Sequence, residues 1–186
     1  MTATTNKEYD IFITGGRVID PETGLDAVRN VGIKGDKIAA VTEEPIEGKE
    51  TIDATGHVVS PGFIDMHSHN CGYPFGQKLA LHDGVTTPME LELGVYPVKG
   101  WYNSLEGKSR TNYGATVGSV PIRERILNPD FKELFHGYII LDAMSDPAGS
   151  RLSMKWSKEH ASAEQIEQFE RMMEEGLQEG AIGVGH

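Results

Sequence analysis

The stretch from Val58 to Asn70 reads VVSPGFIDMHSHN, a short apolar run that ends in two histidines separated by one residue. Alternate side chains of a β-strand lie on the same face, so His67 and His69 at the end of such a strand would present two imidazoles to one point. Neutral imidazole is a common nitrogen ligand of zinc and similar divalent ions. A bare His-x-His is more often a polar turn, but here a buried strand opens into a loop, where liganding residues belong. The stretch therefore predicts two metal ligands.

The same stretch resembles the first barrel strand of the amidohydrolase superfamily, which reads PGFID-x-H-x-H and supplies two metal ligands. Its surroundings are similar too. Ile52 to His57 resembles the DA-x-G lead-in of that superfamily, and Asp83 to Thr87 resembles the GVTT of its second strand. The resemblance implies a metal-dependent (β/α)8 barrel, in which Asp65 orients the ligating imidazoles.

Two later segments resemble the N-acyl-D-amino-acid deacylases within this superfamily. Leu177 to Gly183 is similar to their GL-x-x-GA-x-G segment. Asn112 to Arg123 loosely resembles their third strand, although Ser119 replaces a histidine there, which leaves its role open. The resemblance covers only the N-terminal part of these enzymes.

The second strand departs from the deacylases at a metal ligand. They carry a cysteine ligand in a GNCG turn after GVTT, whereas this chain has Leu93 at that position, preceded by Glu90 and Glu92. A carboxylate is an acceptable ligand for zinc or manganese, and it can bridge two ions as a thiolate does. We prefer Glu92 because it lies nearer the carboxyl end of the strand; the alternative is that both glutamates face solvent or pair with Lys99. The predicted ligands of one or two divalent ions, Zn²⁺ or else Mn²⁺, are His67, His69 and Glu92.

Other site residues stay open at this point. Cys71 could approach the metal from the loop after His69, but a lone cysteine is more often a packing residue. His186 would stand at the end of the fourth strand, where related enzymes place a metal-bridging or substrate-side group. The catalytic base implied by the resemblance, an aspartate of the eighth strand, would lie beyond His186.

Composition limits the kind of partner. The chain has 17 basic and 28 acidic residues, a formal charge of −11, which argues against nucleic acid and anionic membranes because both select a positive surface. A small-molecule amide substrate fits this charge better. A single cysteine excludes an internal disulfide, and neither a signal pattern nor an apolar run of membrane-spanning length is present, so we expect a cytoplasmic protein.

The chain falls into two parts by pattern. Residues 1–60 have short strand signals and predict part of a small β-sandwich, with the clearest hairpin at Gly35-Asp36. Residues 61–186 alternate strand and helix signals and predict the first half of a (β/α)8 barrel. Its four strands are expected at about Val58–Met66, Thr86–Leu93, Tyr113–Gly118 and Ala181–Gly185.

Helices are expected between these strands. Phe75–His82 predicts one that packs Leu79 and Leu81 against the first strand. Ala163–Glu179 predicts the clearest helix, with Ser162 as its cap and an apolar face. That face contains Ile166, Phe169, Met173 and Leu177. Arg123–Leu127 also has a helical signal, and Tyr138–Leu141 is either a strand or a core segment.

These parts together predict hydrolysis of an amide C–N bond by metal-activated water, as in the deacylases. The alternatives are a cyclic amidohydrolase of the hydantoinase or dihydroorotase kind, and a non-catalytic metal-binding subunit. A full barrel takes about 250 residues, more than the 186 present. We therefore expect a companion polypeptide that completes the barrel, and an oligomeric particle.

Overall fold

The computed structural model of the chain describes residues 9–128 and 155–186. It divides into two compact units, Met1–Pro61 and Gly62–His186. The predicted segment Tyr138–Leu141 lies outside the described residues. Among the helices that are described, none combines the length and the apolar character needed to cross a membrane.

The first unit is a five-stranded sheet built around β1 (Tyr9–Asp20). β1 pairs antiparallel with β2 (Leu25–Lys34), which pairs in turn with β3 (Lys37–Thr42). β4 (Gly48–Asp53) and the short β5 (Val58–Val59) both run parallel to β1. The predicted hairpin is confirmed, because Lys34 pairs with Lys37 across a turn whose Gly35 has a φ of +62°.

The second unit is a curled parallel sheet with the strand order β6-β7-β8-β9, the pattern of a half-barrel. Its strands are β6 (Phe63–Asp65), β7 (Val85–Val95), β8 (Gly114–Gly118) and β9 (Val184–Gly185). The fold class predicted from the sequence, a β-sheet part followed by the first strands of an α/β barrel, is therefore confirmed.

Helices connect the strands of this sheet. α1 (Pro74–His82) and α2 (Val98–Leu105) follow β6 and β7, and α3 (Ser119–Leu127), α4 (Lys155–Lys158) and α5 (Ala163–Gln178) lie between β8 and β9. The predicted capping box of α5 is present: Ser162 Oγ accepts a hydrogen bond from Gln165 N at 3.2 Å, and Ser162 N donates one to Gln165 Oε1 at 2.8 Å. The helix ends before Gly180, whose φ is +102°.

The core of the second unit lies between β7, β8 and the helices. Its fully or nearly buried members are Cys71, Val95, Val98, Trp101, Leu105, Ala115, Val117, Ile122 and Met173. Gly176 lets α5 approach closely, because a Cβ at that position would collide with the Val117 side chain on β8. Apolar burial is concentrated there and leaves both outer strands of the sheet poorly covered.

Two expectations about these elements were wrong. The predicted first strand, Val58–Met66, is two strands, because Pro61 has no N–H to donate and the chain leaves one sheet before it and enters the other after it. In α1 the buried side chain is Gln77, whereas Leu79 and Leu81 are half exposed. The apolar face predicted for α5 is present and is only partly covered: Met173 at its centre is buried, whereas Ile166 and Leu177 are 49% and 43% exposed.

Candidate metal centre

Two imidazoles lie at the carboxyl end of β6, just beyond its last residue. The loop that carries them is fastened by its backbone: His67 N donates to Asp65 Oδ1 at 3.0 Å, and Ser68 N donates to the carbonyl oxygen of Met89 on β7 at 3.1 Å. The two rings stand nearly perpendicular, with centroids 5.2 Å apart. Asp65, expected to orient the imidazoles, contacts the backbone of His67 and so shapes the loop.

Glu92 brings a carboxylate oxygen to both rings. Its Oε2 lies 2.9 Å from His67 Nε2 and 3.1 Å from His69 Nε2. One ligand atom from each residue lies within 4.8 Å of the other two. The structure thus brings together the three residues that the sequence predicted as metal ligands.

Glu90 lies behind His69 and is almost fully buried, with 1% of its side chain exposed. Its two carboxylate oxygens lie 2.9 and 3.1 Å from His69 Nδ1. Burial raises the pKa of the Glu90 carboxyl above its ordinary value, and the adjacent His69 ring partly offsets the rise. The two glutamates therefore have different surroundings, although they lie only two positions apart on the same strand.

An irregularity in β7 separates them. Glu90 pairs with Ala115 and Val95 pairs with Val117, so the four residues from Leu91 to Gly94 lie opposite the single residue Thr116. Gly94 has a φ of +68°, which favours glycine, and a Cβ there would lie 2.7 Å from the backbone of β8. Such a bulge re-aims side chains near the end of a strand. Here it accompanies the turn of Glu92 towards the histidines.

The donor set fits a divalent metal ion. Two imidazole nitrogens and one carboxylate oxygen are ligands that zinc accepts, and three protein ligands with an open position are the usual set of catalytic zinc sites. His67 is 66% exposed and Glu92 is 48% exposed, so the cluster is open to small molecules. The alternative was that both glutamates face solvent or pair with Lys99. It is wrong for Glu90, which is buried, and Glu92 contacts the two histidines.

The remaining sequence candidates lie elsewhere. Cys71 is fully buried in the core of the second unit and is not one of the three clustered ligands. Ser119 Oγ lies 2.8 Å from His186 Nδ1, so these two side chains pair with each other at the ends of β8 and β9. Neither belongs to the cluster formed by His67, His69 and Glu92.

Sequence reasoning missed the role of Gln77 and the surroundings of Glu90. Glu90 was noticed as sharing a face with Glu92, but its burial against His69 depends on the fold. Gln77 holds the loop after the histidines: its Nε2 donates to the carbonyl oxygen of Cys71 at 2.8 Å, and its Oε1 accepts from Arg110 N at 3.0 Å. In the sequence, Gln77 differed from its neighbours only as a polar residue in a helical segment that contains several apolar ones.

Comparison with known proteins agrees with the resemblance seen in the motifs. The sequence model of the amidohydrolase family matches residues 50–113. An allantoinase of Escherichia coli (strain SMS-3-5 / SECEC) is 37% identical over an alignment of 97 residues, and the match covers 48% of this chain and 21% of that protein. The chain thus spans about a fifth of the length of such curated relatives.

Solved structures match nearly the whole chain. A D-aminoacylase structure has a TM-score of 0.65 at 24% identity, and N-acyl-D-glutamate deacylase from Bordetella bronchiseptica, complexed with zinc and a phosphonate inhibitor, has 0.67 at 22%. Each match covers 95% of this chain and 38% of the other. The resemblance to the amidohydrolase superfamily is confirmed, and the chain has the fold of part of a D-aminoacylase.

Proposed function

We propose that this chain forms the metal-binding part of a hydrolase that cleaves amide C–N bonds, with an N-acyl-D-amino acid as substrate. The observation that carries the proposal is the convergence of His67, His69 and Glu92 at the carboxyl edge of a parallel sheet. Active sites of barrel enzymes lie at that edge. A Zn²⁺ ion there, or Mn²⁺, would supply a Lewis acid that polarises the amide carbonyl and activates water at neutral pH.

The residues of this chain would contribute in distinct ways. His67, His69 and Glu92 would hold the ion, and the negative charge of Glu92 would offset part of the cost of removing the cation from water. Their exposure leaves room for a small substrate at the same edge. The residue that moves protons to the leaving nitrogen would be the aspartate of the eighth strand that the resemblance leads us to expect beyond His186.

A second candidate is hydrolysis of a cyclic amide. It is favoured by the 37% identity with the allantoinase over 48% of this chain. The two candidates share the metal site and differ in the substrate pocket. A substrate panel that contains N-acyl-D-amino acids and cyclic ureides separates them.

We also propose that a further polypeptide segment completes the sheet beside β6 and β9. Large apolar side chains on or next to these outer strands are exposed: Phe63, Ile64, Met66, Ile182 and Val184 are between 56% and 67% accessible. Outer strands also present unpaired backbone groups that favour pairing with another strand. Added parallel strands would cover both features.

The metal site is tested with the natural protein that contains this chain, purified without added metal. Elemental analysis should find a divalent ion in the wild type and little in a His67→Ala/His69→Ala variant. His57→Ala and His82→Ala, which change exposed histidines outside the cluster, serve as controls. Chelation should abolish amide hydrolysis, and Zn²⁺ or Mn²⁺ should restore it. Equal metal content in the wild type and the double variant would contradict the proposal.

A further inference from the structure

Glu90 has a contact pattern that packing alone does not explain. Its carboxylate is 1% exposed in the middle of β7, and both of its oxygens face the same atom, His69 Nδ1. Burying a carboxylate costs free energy unless it is paired. An apolar side chain would fill the same space without that cost, so the position serves something other than stability.

The contact favours one tautomer of His69, the one with the proton on Nδ1, when the Glu90 carboxylate is ionised. An ionised carboxylate only accepts hydrogen bonds, so His69 Nδ1 must be the donor. In a neutral imidazole the other nitrogen then keeps its lone pair. That nitrogen, Nε2, is the one that lies 3.1 Å from Glu92 Oε2 and faces the ligand cluster.

The same contact limits how the ring can turn. His69 is held at Nδ1 by two oxygens of a buried side chain, and its own side chain is 33% exposed, half the value for His67. Glu90 is itself fixed by pairing with Ala115 on β8 and by the bridge between its backbone and that of His67. The imidazole is therefore oriented before any ion binds.

We propose that Glu90 is a positioning residue for the metal centre: it holds His69 as the Nδ1–H tautomer and aims Nε2 at the ion. This inference rests on the metal site proposed above. Residues that hold a ligating histidine in this way raise metal affinity about 10- to 100-fold when present. Glu90 itself would not touch the ion or the substrate.

The test compares Glu90→Gln with the wild type in the natural protein. Glutamine keeps the size of the side chain, but it is neutral and its amide can donate to Nδ1, which would move the proton to Nε2. We expect the dissociation constant for Zn²⁺, measured by competition with a chromophoric chelator, to rise about 10- to 100-fold. The melting temperature of the metal-free protein should stay equal or rise, because a buried charge is removed.

Nitrogen-15 NMR of labelled histidine gives a second readout that a merely structural role would not change. In the metal-free wild type, His69 should show protonated Nδ1, and Glu90→Gln should shift the proton towards Nε2. If Glu90→Gln does not fold, Glu90→Asp takes its place. Its charge is kept but its shorter side chain withdraws from Nδ1, so zinc affinity should fall about 10-fold.

The outcomes separate this inference from the metal site itself. Unchanged zinc affinity in the Glu90 variant, together with loss of zinc in His67→Ala/His69→Ala, would overturn the role of Glu90 and leave the metal site intact. An unchanged tautomer of His69 would also overturn it. Failure of the wild type to bind zinc would overturn both.

Discussion

Thr116 on β8 holds the bulge of β7 that carries Glu92: its Oγ1 donates a hydrogen bond to the carbonyl oxygen of Leu91 at 2.9 Å. Thr116 is 6% exposed, so water cannot easily replace this bond. The only residue of β8 opposite the bulge thus supplies a side-chain donor to it. The position of Glu92 depends on a strand that contributes no predicted ligand.

We expect Thr116→Val to loosen the bulge, because valine keeps the shape of threonine but removes the donor. The free energy of unfolding should fall by about 1 kcal/mol, and zinc affinity should fall several-fold. Thr111→Val is the control, since Thr111 is 7% exposed but lies in the loop before β8. Denaturant unfolding and metal competition measure the two effects. Unaltered zinc affinity in Thr116→Val would show that the bulge does not need this bond.

Gly183 and Gly185, two positions apart at β9, have different amounts of free space around them, so alanine substitutions there form a matched pair. A Cβ at Gly185 would collide with Thr116 Oγ1 and lie 2.6 Å from the carbonyl oxygen of Glu92, whereas a Cβ at Gly183 would meet only a methyl group of Thr116 at 3.9 Å. Gly185→Ala should therefore destabilise the protein by about 1 to 3 kcal/mol and weaken metal binding. Gly183→Ala should change neither quantity appreciably. Thermal unfolding with and without zinc checks this, and equal behaviour of the two variants would contradict it.

Replacing Glu92, the proposed carboxylate ligand, should have a larger effect than replacing Glu90. Glu92→Gln removes the charge that offsets the cation, so we expect zinc affinity to fall more than the about 10- to 100-fold expected for Glu90→Gln. Glu106→Gln, at an exposed glutamate after α2, should leave affinity unchanged. The measurement is the same chelator competition. An effect of Glu92→Gln no larger than that of Glu106→Gln would remove Glu92 from the ligand set.

Native mass spectrometry tests the completion of the sheet. We expect the active particle to be much heavier than 20.4 kDa, the mass of this chain. Ile64→Asp, at a residue of β6 that is 64% exposed, should weaken assembly or folding because it places a charge where added strands would pack. Leu177→Asp, at a residue of α5 that is 43% exposed, is the control. A monodisperse and active species of 20.4 kDa would contradict the proposal.

Local signals predicted several elements of the fold. The cap of α5, its apolar spacing and the glycine of the β2-β3 turn depend on residues that lie a few positions apart. They can therefore be predicted from the sequence without the tertiary structure. The boundary between β5 and β6 was missed because both are apolar β segments, and only pairing with β1 or with β7 distinguishes them.

By itself, the sequence determined which residues could bind a metal, namely two histidines one residue apart and a pair of glutamates on a neighbouring strand. The capacity of imidazole and carboxylate groups to bind a metal ion does not depend on the fold. Only the tertiary structure decided their roles. A bulge opposite Thr116 separates Glu92 from Glu90, exposing one carboxylate to the histidines and burying the other behind His69. In a regular strand, side chains two positions apart lie on the same face, so the sequence pattern makes these two positions equivalent. Pairing with β8 makes them different, because burial and hydrogen bonding depend on neighbours distant in sequence.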